Sequence, residues 1–216
     1  MKTQTKYIFF DVANTLLHKP DLYDNILSVF KKYGNAVEKN KLKYHHKLLS
    51  ESTKFPDKTN AEFYSRFNSE LLLSLGIIPD KIILDDIFSA CTYLPWKAFD
   101  DTAALNKIKL PMGIISNWDN TLQNKLNEKV NISFFRIIGS EISGISKPDI
   151  RIFEKAFDGL DVPPNEIIFV GDSLKLDMAP AIQAGLNAYL IDRDNLFPNF
   201  PKRLNSLYQL TELINN

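Results

Sequence analysis

Three polar residues from distant parts of the chain each follow a short apolar run: Asp11, Ser116 and Asp172. Short apolar runs of this kind are typical of the buried strands of a parallel sheet. The carboxyl ends of parallel strands share one edge of the sheet, and ligands bind at that edge in open α/β folds. Each residue alone could simply cap a helix. Three similar strand ends, with Lys147 between the last two along the chain, instead predict a ligand-binding site.

Five apolar segments predict the strands that would position these residues. Helical patterns separate the segments; Leu122 and Leu126, for example, are spaced four apart. This alternation predicts an α/β fold, a Rossmann-like parallel five-stranded sheet with helices on both faces. The predicted strands are 7–10, 112–115, 134–138, 167–170 and 188–191.

One long stretch departs from this alternation. Residues 17–95 carry several helical patterns and no convincing strand; Phe63, Phe67 and Leu71, for example, share one helical face. The simplest interpretation is a helical cap domain inserted after the first strand. We therefore predict a core domain made of residues 1–16 and 96–216, and a cap domain made of residues 17–95.

The composition excludes several classes of function. The 216 residues include 26 Lys and Arg and 26 Asp and Glu, so the formal net charge is zero. This balance argues against nucleic-acid binding driven by counterion release and against a polybasic membrane anchor. A single cysteine, Cys91, cannot form an internal disulfide or a cysteine-based zinc site. With no signal-peptide pattern and no run of 18 apolar residues, we expect a cytoplasmic protein; no pattern predicts its oligomeric state.

Four motifs, in order along the chain, resemble those of the haloacid dehalogenase-like hydrolase superfamily, in the branch with a helical cap (subfamily I). The third and fourth motifs are specific as a pair, whereas the first alone would be a weak signal. The resemblance spans residues 7–191, nearly the whole chain. The motifs are Asp11-Val12-Ala13-Asn14-Thr15-Leu16, Ile114-Ile115-Ser116-Asn117, Ser146-Lys147-Pro148-Asp149 and Val170-Gly171-Asp172-Ser173 followed by Asp177.

The resemblance implies catalytic and substrate-binding roles for four of these residues. Asp11 would be the nucleophile that forms an aspartyl-phosphate with a small phosphorylated substrate. Lys147 would neutralise the phosphate and orient Asp11. Ser116 and the main-chain N–H of Asn117 would donate hydrogen bonds to the phosphate oxygens.

The resemblance also implies a Mg²⁺ cofactor between nucleophile and phosphate, since Mg²⁺ prefers hard oxygen ligands. Its ligands would be the side chains of Asp11 and Asp172, the backbone carbonyl of Ala13, and Asp177 directly or through water. Phosphatases of the family carry a second Asp at the position of Ala13, which protonates the leaving group. An alanine keeps the carbonyl and loses the acid, and general acid–base catalysis is typically worth about 10²–10⁴-fold.

Three hypotheses remain open for a chain with this alanine. The first is a Mg²⁺-dependent phosphatase that prefers activated leaving groups, or in which Asn14, His18 or a cap residue supplies the proton. The second is a hydrolase like phosphonoacetaldehyde hydrolase, which also has alanine here and forms a Schiff base on a cap lysine. The third is a regulatory or binding protein that keeps the fold and the metal. The lysines available in the predicted cap include Lys39, Lys41, Lys43 and Lys47.

A haloacid dehalogenase in the strict sense is disfavoured by the fourth motif. Dehalogenases of the superfamily need no metal, whereas this chain keeps Gly171-Asp172 and Asp177.

Overall fold

The computed structural model describes residues 4–56 and 59–215. The chain divides into two compact units, which we call the core unit and the helical unit. The core unit ends its first segment at His18 and resumes at Lys97, and the helical unit is Lys19–Trp96. The domain limits predicted at 16–17 and 95–96 differ from these by one or two residues, because residues on both sides of the helical unit pair as a small ribbon. Residues 1–3 and 216 of the predicted core and residues 57 and 58 of the predicted cap lie outside the described residues.

The core unit is built on a parallel sheet, so the predicted α/β fold is confirmed. The strands are β1 (Tyr7–Phe10), β2 (Leu17–His18), β3 (Lys97–Ala98), β4 (Met112–Ser116), β5 (Arg136–Gly139), β6 (Ile167–Gly171), β7 (Asn187–Ile191) and β8 (Arg203–Leu204). The order of the parallel sheet is β5-β4-β1-β6-β7-β8, and every neighbouring pair is parallel. The predicted count of five strands is wrong, because the described residues form a sheet of six; β8 has only two residues, too few to give an apolar pattern.

The centre of the sheet is buried on both faces. All residues of β4 and β6 are buried, which explains their unbroken apolar sequences. Phe9 of β1 lies opposite Gly113 of β4, and a β-carbon at Gly113 would overlap the Phe9 ring. The absence of a side chain at Gly113 therefore leaves the space that the Phe9 ring occupies. Outside this sheet, β2 and β3 form the antiparallel ribbon at the two ends of the helical unit.

The described residues of the helical unit form four helices around an apolar cluster. The cluster includes Ile26, Phe30 and Leu72, all almost fully buried. Polar side chains cap two of the helices: Asn60 accepts from the amide of Phe63, and Asp80 accepts from the amides of the first two isoleucines of the helix that begins at Lys81. The helices are α1 (Leu22–Lys32), α2 (Lys39–Ser52), α3 (Ala61–Ser74) and α4 (Lys81–Cys91).

The helices of the core unit that have eight or more residues each bury an apolar stripe in the core. In α7 (Ile150–Phe157) this stripe is Ile152, Phe153 and Ala156, and Asp149 caps the helix by accepting from the amide of Arg151. Turns of 3₁₀ helix cover Asp100–Lys107 and Pro164–Glu166, and one π-helical turn covers Leu174–Met178. The helices are α5 (Leu122–Lys129), α6 (Ser140–Ser143), α7 (Ile150–Phe157), α8 (Ala179–Gln183) and α9 (Leu207–Asn215). No helix in the described ranges is both long and apolar enough to cross a bilayer.

Candidate active site

The ends of three adjacent strands carry the polar residues that the sequence singles out. β1 lies between β4 and β6, so Asp11, Ser116 and Asp172 leave the sheet at the same edge. The amide of Asp11 still donates to the carbonyl of Val170, at 2.9 Å, which extends the pairing of β1 with β6 by one residue. The sheet order therefore brings together residues that are 56 to 161 positions apart along the chain.

Lys147 lies between two carboxylates in the interior of the core unit. Its Nζ is 2.7 Å from Oδ1 of Asp11 and 2.6 Å from Oδ1 of Asp177. The three side chains are 3%, 7% and 1% exposed, respectively. Burial alone lowers the pKa of a lysine, but the charges and hydrogen bonds of the two carboxylates outweigh it and raise the pKa of Lys147. The residue is therefore a fixed cation at neutral pH.

Both carboxylate oxygens of Asp177 accept hydrogen bonds. Its Oδ2 accepts from the backbone amide of Ser173 at 3.0 Å, and its Oδ1 accepts from Lys147. Burial raises the pKa of Asp177; Lys147 opposes this shift, and the charges of Asp11 and Asp172 add to it. The carboxylates thus repel one another in a place that solvent does not screen, which favours a cation beyond the lysine.

Hydroxyl groups orient the carboxylate of Asp11. Ser116 donates to Oδ1 at 3.0 Å, and Thr15 donates to Oδ2 at 3.3 Å. Oδ1 therefore has two close donors, whereas Oδ2 has one long bond and keeps lone-pair capacity for another partner. Thr15 was not predicted as a site residue from the sequence, although the motif that begins at Asp11 contains it.

The side chain of Asn117 acts on the backbone of Lys147. Its Oδ1 accepts from the Lys147 amide at 2.8 Å, and its Nδ2 donates to the Lys147 carbonyl at 3.0 Å. This reciprocal pair fixes the segment that carries the buried ammonium. The predicted contribution of Asn117, its main-chain N–H, is a separate group and stays a prediction.

Nearly all backbone carbonyls of the loop that follows Asp11 accept hydrogen bonds from protein groups. The Val12 carbonyl accepts three amides of the loop, and the Leu17 carbonyl accepts the amide of Asn14 at 2.6 Å. The carbonyls of Asn14, Thr15 and Leu16 accept from groups outside the loop. Within the described chain, the carbonyl of Ala13 is the one in this loop that has no protein donor. It is therefore available to a cation.

Three carboxylates of the site could hold a metal ion together. One oxygen each of Asp11, Asp172 and Asp177 lies within 4.8 Å of the others. Carboxylate and carbonyl oxygens are hard ligands, which suit Mg²⁺ better than softer transition metals. The donor set thus fits the predicted cofactor.

The family of the chain follows from this fold and site together with a family model. The model of the haloacid dehalogenase-like hydrolases matches residues 5–185. The chain belongs to this family.

Curated relatives differ in their named activities. A haloacid dehalogenase-like hydrolase domain-containing protein 3 of Xenopus laevis is 35% identical over 83 residues, 38% of this chain and 34% of that protein. A glyceraldehyde 3-phosphate phosphatase of Methanothermobacter thermautotrophicus is 31% identical over 85 residues, 38% of each. The chain thus spans little more than a third of the length of these two. A (S)-2-haloacid dehalogenase 4A of Burkholderia cepacia is 27% identical over 220 residues, 95% of this chain and 93% of that enzyme.

A solved structure agrees with the fold. The HAD-hydrolase YfnB of Bacillus subtilis, in a crystal form bound to magnesium, has a TM-score of 0.65 and 21% identity, with 99% of this chain and 100% of that chain covered. At this identity the similarity concerns the fold alone.

Proposed function

We propose that the protein is a Mg²⁺-dependent phosphohydrolase that acts on a small phosphorylated molecule through an aspartyl-phosphate on Asp11. The observation that carries the proposal is the cluster of Asp11, Asp172 and Asp177, whose oxygens lie within 4.8 Å, with Lys147 buried beside two of them. The single positive charge of Lys147 cannot balance three carboxylates. Such a site suits a divalent cation and an anionic substrate.

The residues of the chain account for the bond changes. A carboxylate oxygen of Asp11 attacks phosphorus; the new O–P bond forms as the bond to the leaving oxygen breaks, and that oxygen takes the electron pair. Water then attacks the aspartyl-phosphate, which restores the carboxylate and releases inorganic phosphate. Lys147 and Ser116 hold Asp11 in place throughout, and Lys147 offsets charge on the phosphate. When bound, Mg²⁺ supplies the charge that offsets repulsion between carboxylates and phosphate.

Ala13 limits the leaving groups that the site can expel. With no acid at this position, the leaving oxygen departs as an anion or takes its proton from water. Substrates whose leaving group is already stable, such as acyl or aryl phosphates, therefore fit the site better than alkyl phosphates. His18 is no ready donor, because burial, with the charge of Arg193 added, lowers the pKa of its imidazole.

Dehalogenation is the second candidate activity. Ala13 suits it, since a halide leaves as an anion and needs no proton, and the long match to a (S)-2-haloacid dehalogenase supports it. In that reaction Asp11 would attack carbon rather than phosphorus. The cluster of Asp172 and Asp177 beside Asp11 suits a metal-dependent reaction better than a metal-free one, so we rank dehalogenation second.

A Schiff-base reaction like that of phosphonoacetaldehyde hydrolase requires an unprotonated lysine in the helical unit. Lys39 and Lys47 instead pair with carboxylates, at 2.6 Å from Asp24 and 3.2 Å from Glu51. Burial lowers the pKa of Lys19, whose Nζ lies 5.2 Å from the ring centre of Trp96. Lys19 is therefore the lysine on which to test this alternative.

One set of assays separates these activities. Phosphate release from para-nitrophenyl phosphate is measured with Mg²⁺ and with EDTA, and chloride release from 2-chloropropionate is measured in the same two buffers. We expect Mg²⁺-dependent phosphate release that Asp11→Asn abolishes and the exposed Asp161→Asn leaves unchanged.

Each of the other outcomes would support one of the alternative functions. Chloride release in EDTA without phosphate release would establish a dehalogenase. Borohydride trapping of phosphonoacetaldehyde on Lys19, absent in Lys19→Met, would establish the Schiff-base reaction. Mg²⁺ binding without any turnover would indicate a regulatory or binding protein.

A further inference from the structure

Arg193, two residues beyond β7, contacts the loop that follows the candidate nucleophile. Its Nη1 donates to the carbonyl of Asn14 at 3.2 Å, and its Nη2 donates to the carbonyl of Thr15 at 3.1 Å. These residues are 178 or more positions away along the chain. Nothing in the four family motifs assigns a role to this arginine.

A carboxylate fixes the guanidinium from another side. Nε lies 3.1 Å from Oδ2 of Asp101, and Nη2 lies 2.7 Å from Oδ1, which makes a two-pronged ion pair. Oδ2 also accepts from the amide of Leu207, the first residue of α9. The side chains of Arg193 and Asp101 are 18% and 10% exposed, so solvent screens the pair little.

The guanidinium of Arg193 also stacks on an aromatic ring. The guanidinium carbon lies 3.8 Å from the ring centre of Phe99, and the imidazole of His18 stacks on the same ring at 3.9 Å with an angle of 12°. Two groups stacked this close to one ring must occupy its opposite faces. The guanidinium is thus fixed in its plane by hydrogen bonds and along its normal by the ring.

The contacts of Arg193 determine which carbonyl of the loop stays unbonded. Asn14 adopts a left-handed conformation, with φ of 58°, and this costs a non-glycine residue free energy that the surroundings must offset. Arg193 takes up the carbonyls of Asn14 and Thr15, and the loop amides take up that of Val12. The carbonyl of Ala13, between them, is left for a cation.

We propose that Arg193 is a positioning residue of the active site, which holds the loop of residues 12–17 so that the Ala13 carbonyl remains available as a Mg²⁺ ligand together with the Asp11 carboxylate. This inference rests on the proposed function, because it assumes that the site binds Mg²⁺. A lysine cannot replace the arginine, since an ammonium lacks the planar fork that reaches two carbonyls and a carboxylate at once.

The test measures the Mg²⁺ affinity of the intact chain by calorimetry, for the native sequence and for Arg193→Ala and Arg193→Lys. Residues that orient metal ligands typically contribute about 10–100-fold in affinity, so we expect the dissociation constant of both variants to rise by about tenfold or more. Ethylguanidinium added to Arg193→Ala should recover part of the affinity. In both variants, hydrogen exchange at the Asn14 amide, which is bonded to the Leu17 carbonyl, should accelerate. This second readout needs no metal.

Arg203→Met is the matched control. Arg203 pairs with Asp192 at 3.2 Å and is 23% exposed, much like Arg193, and its hydrogen bonds go to Asp192 and Asn195, outside the loop of residues 12–17. We expect a comparable loss of thermal stability with an unchanged Mg²⁺ dissociation constant. Equal weakening in Arg203→Met would overturn the inference, because it would show a general structural effect; so would native affinity in both Arg193 variants.

The variant Asp172→Asn shows whether the positioning role of Arg193 alone is wrong or whether the proposed function is wrong as well. If the native protein binds Mg²⁺ and Asp172→Asn does not, while the Arg193 variants bind normally, the positioning role alone is wrong. If the native protein and Asp172→Asn both fail to bind Mg²⁺, the proposed function and this inference fall together.

Discussion

The carboxylate of Asp177 occupies the place where Gly171 would carry a side chain. A β-carbon built on Gly171 would lie 2.5 Å from both Cγ and Oδ2 of Asp177. Real β-carbons do not approach other atoms this closely, so the glycine is required by the position of the acid six residues later. The π-helical turn at Leu174–Met178 brings the acid back over the end of β6.

Gly171→Ala should therefore disturb the metal site more than the fold. The added methyl group displaces the Asp177 carboxylate, and overpacking of this kind typically costs about 1–3 kcal/mol of stability. We expect Mg²⁺ binding, measured by calorimetry, to be weakened strongly. Gly113→Ala is the control: its methyl group would strike the Phe9 ring, away from the carboxylates, and it should lower stability with little selective effect on Mg²⁺. Equal Mg²⁺ affinity in both variants would contradict the prediction.

Lys147→Met should destabilise the protein substantially. It leaves Asp11 and Asp177 buried without their cation, and breaking a buried pair in this way costs about 3–5 kcal/mol. Urea denaturation measures the loss. Lys155→Met, on the exposed face of α7, should stay within about 0.5 kcal/mol of the native protein. A native-like midpoint for Lys147→Met would mean that the two carboxylates are not charged together.

Ala13→Asp should restore a general acid to the proposed phosphatase. We expect hydrolysis of alkyl phosphates to accelerate by up to about 10²–10⁴-fold, and hydrolysis of para-nitrophenyl phosphate to change little, because its leaving group needs no proton. Steady-state kinetics on both substrates would measure the two effects. Ala13→Asn adds a side chain of similar size without an acid; a similar gain in this variant would rule out the acid as the cause.

Stability should fall on acidification because of His46 in the helical unit. Burial, with a smaller contribution from Lys47, lowers the pKa of His46 from 6.5 to about 4, and its ring packs edge-on against Tyr23 and Phe67. Between these pH values the unfolded chain binds more protons than the folded one. The stability is therefore fully present above about pH 6.5 and is lost as the pH falls toward 4.

Urea denaturation across this pH range checks the effect of His46. The side chain is only half-buried, so we expect a loss of about 1–2 kcal/mol rather than the full value of the shift. His46→Gln should remove this part of the pH dependence, whereas His45→Gln, which keeps His46 in place, should retain it. An unchanged slope in His46→Gln would show that another group is responsible.

Much of the core could be predicted from local patterns. The central strands are buried on both faces, so their sequences are continuously apolar and end where polar residues begin, as at Phe10 and Asp11. The family motifs then assign chemistry to these ends. The prediction was wrong for β8, because two residues at a sheet edge carry no periodicity, and the predicted strand 134–138 begins later, at Arg136.

The sequence by itself determined the family, the parallel sheet and the residue types at its carboxyl edge, because apolar runs and motif spacings are local properties of the chain. Only the tertiary structure decided how Lys147 is shared between Asp11 and Asp177, and that Arg193, Asp101 and Phe99 hold the loop after the nucleophile. These contacts join residues about 30 to 180 positions apart, and no periodicity relates them. They depend on the order of the strands in space, which places the ends of β1 and β6 side by side and the residues after β7 within reach of the same loop.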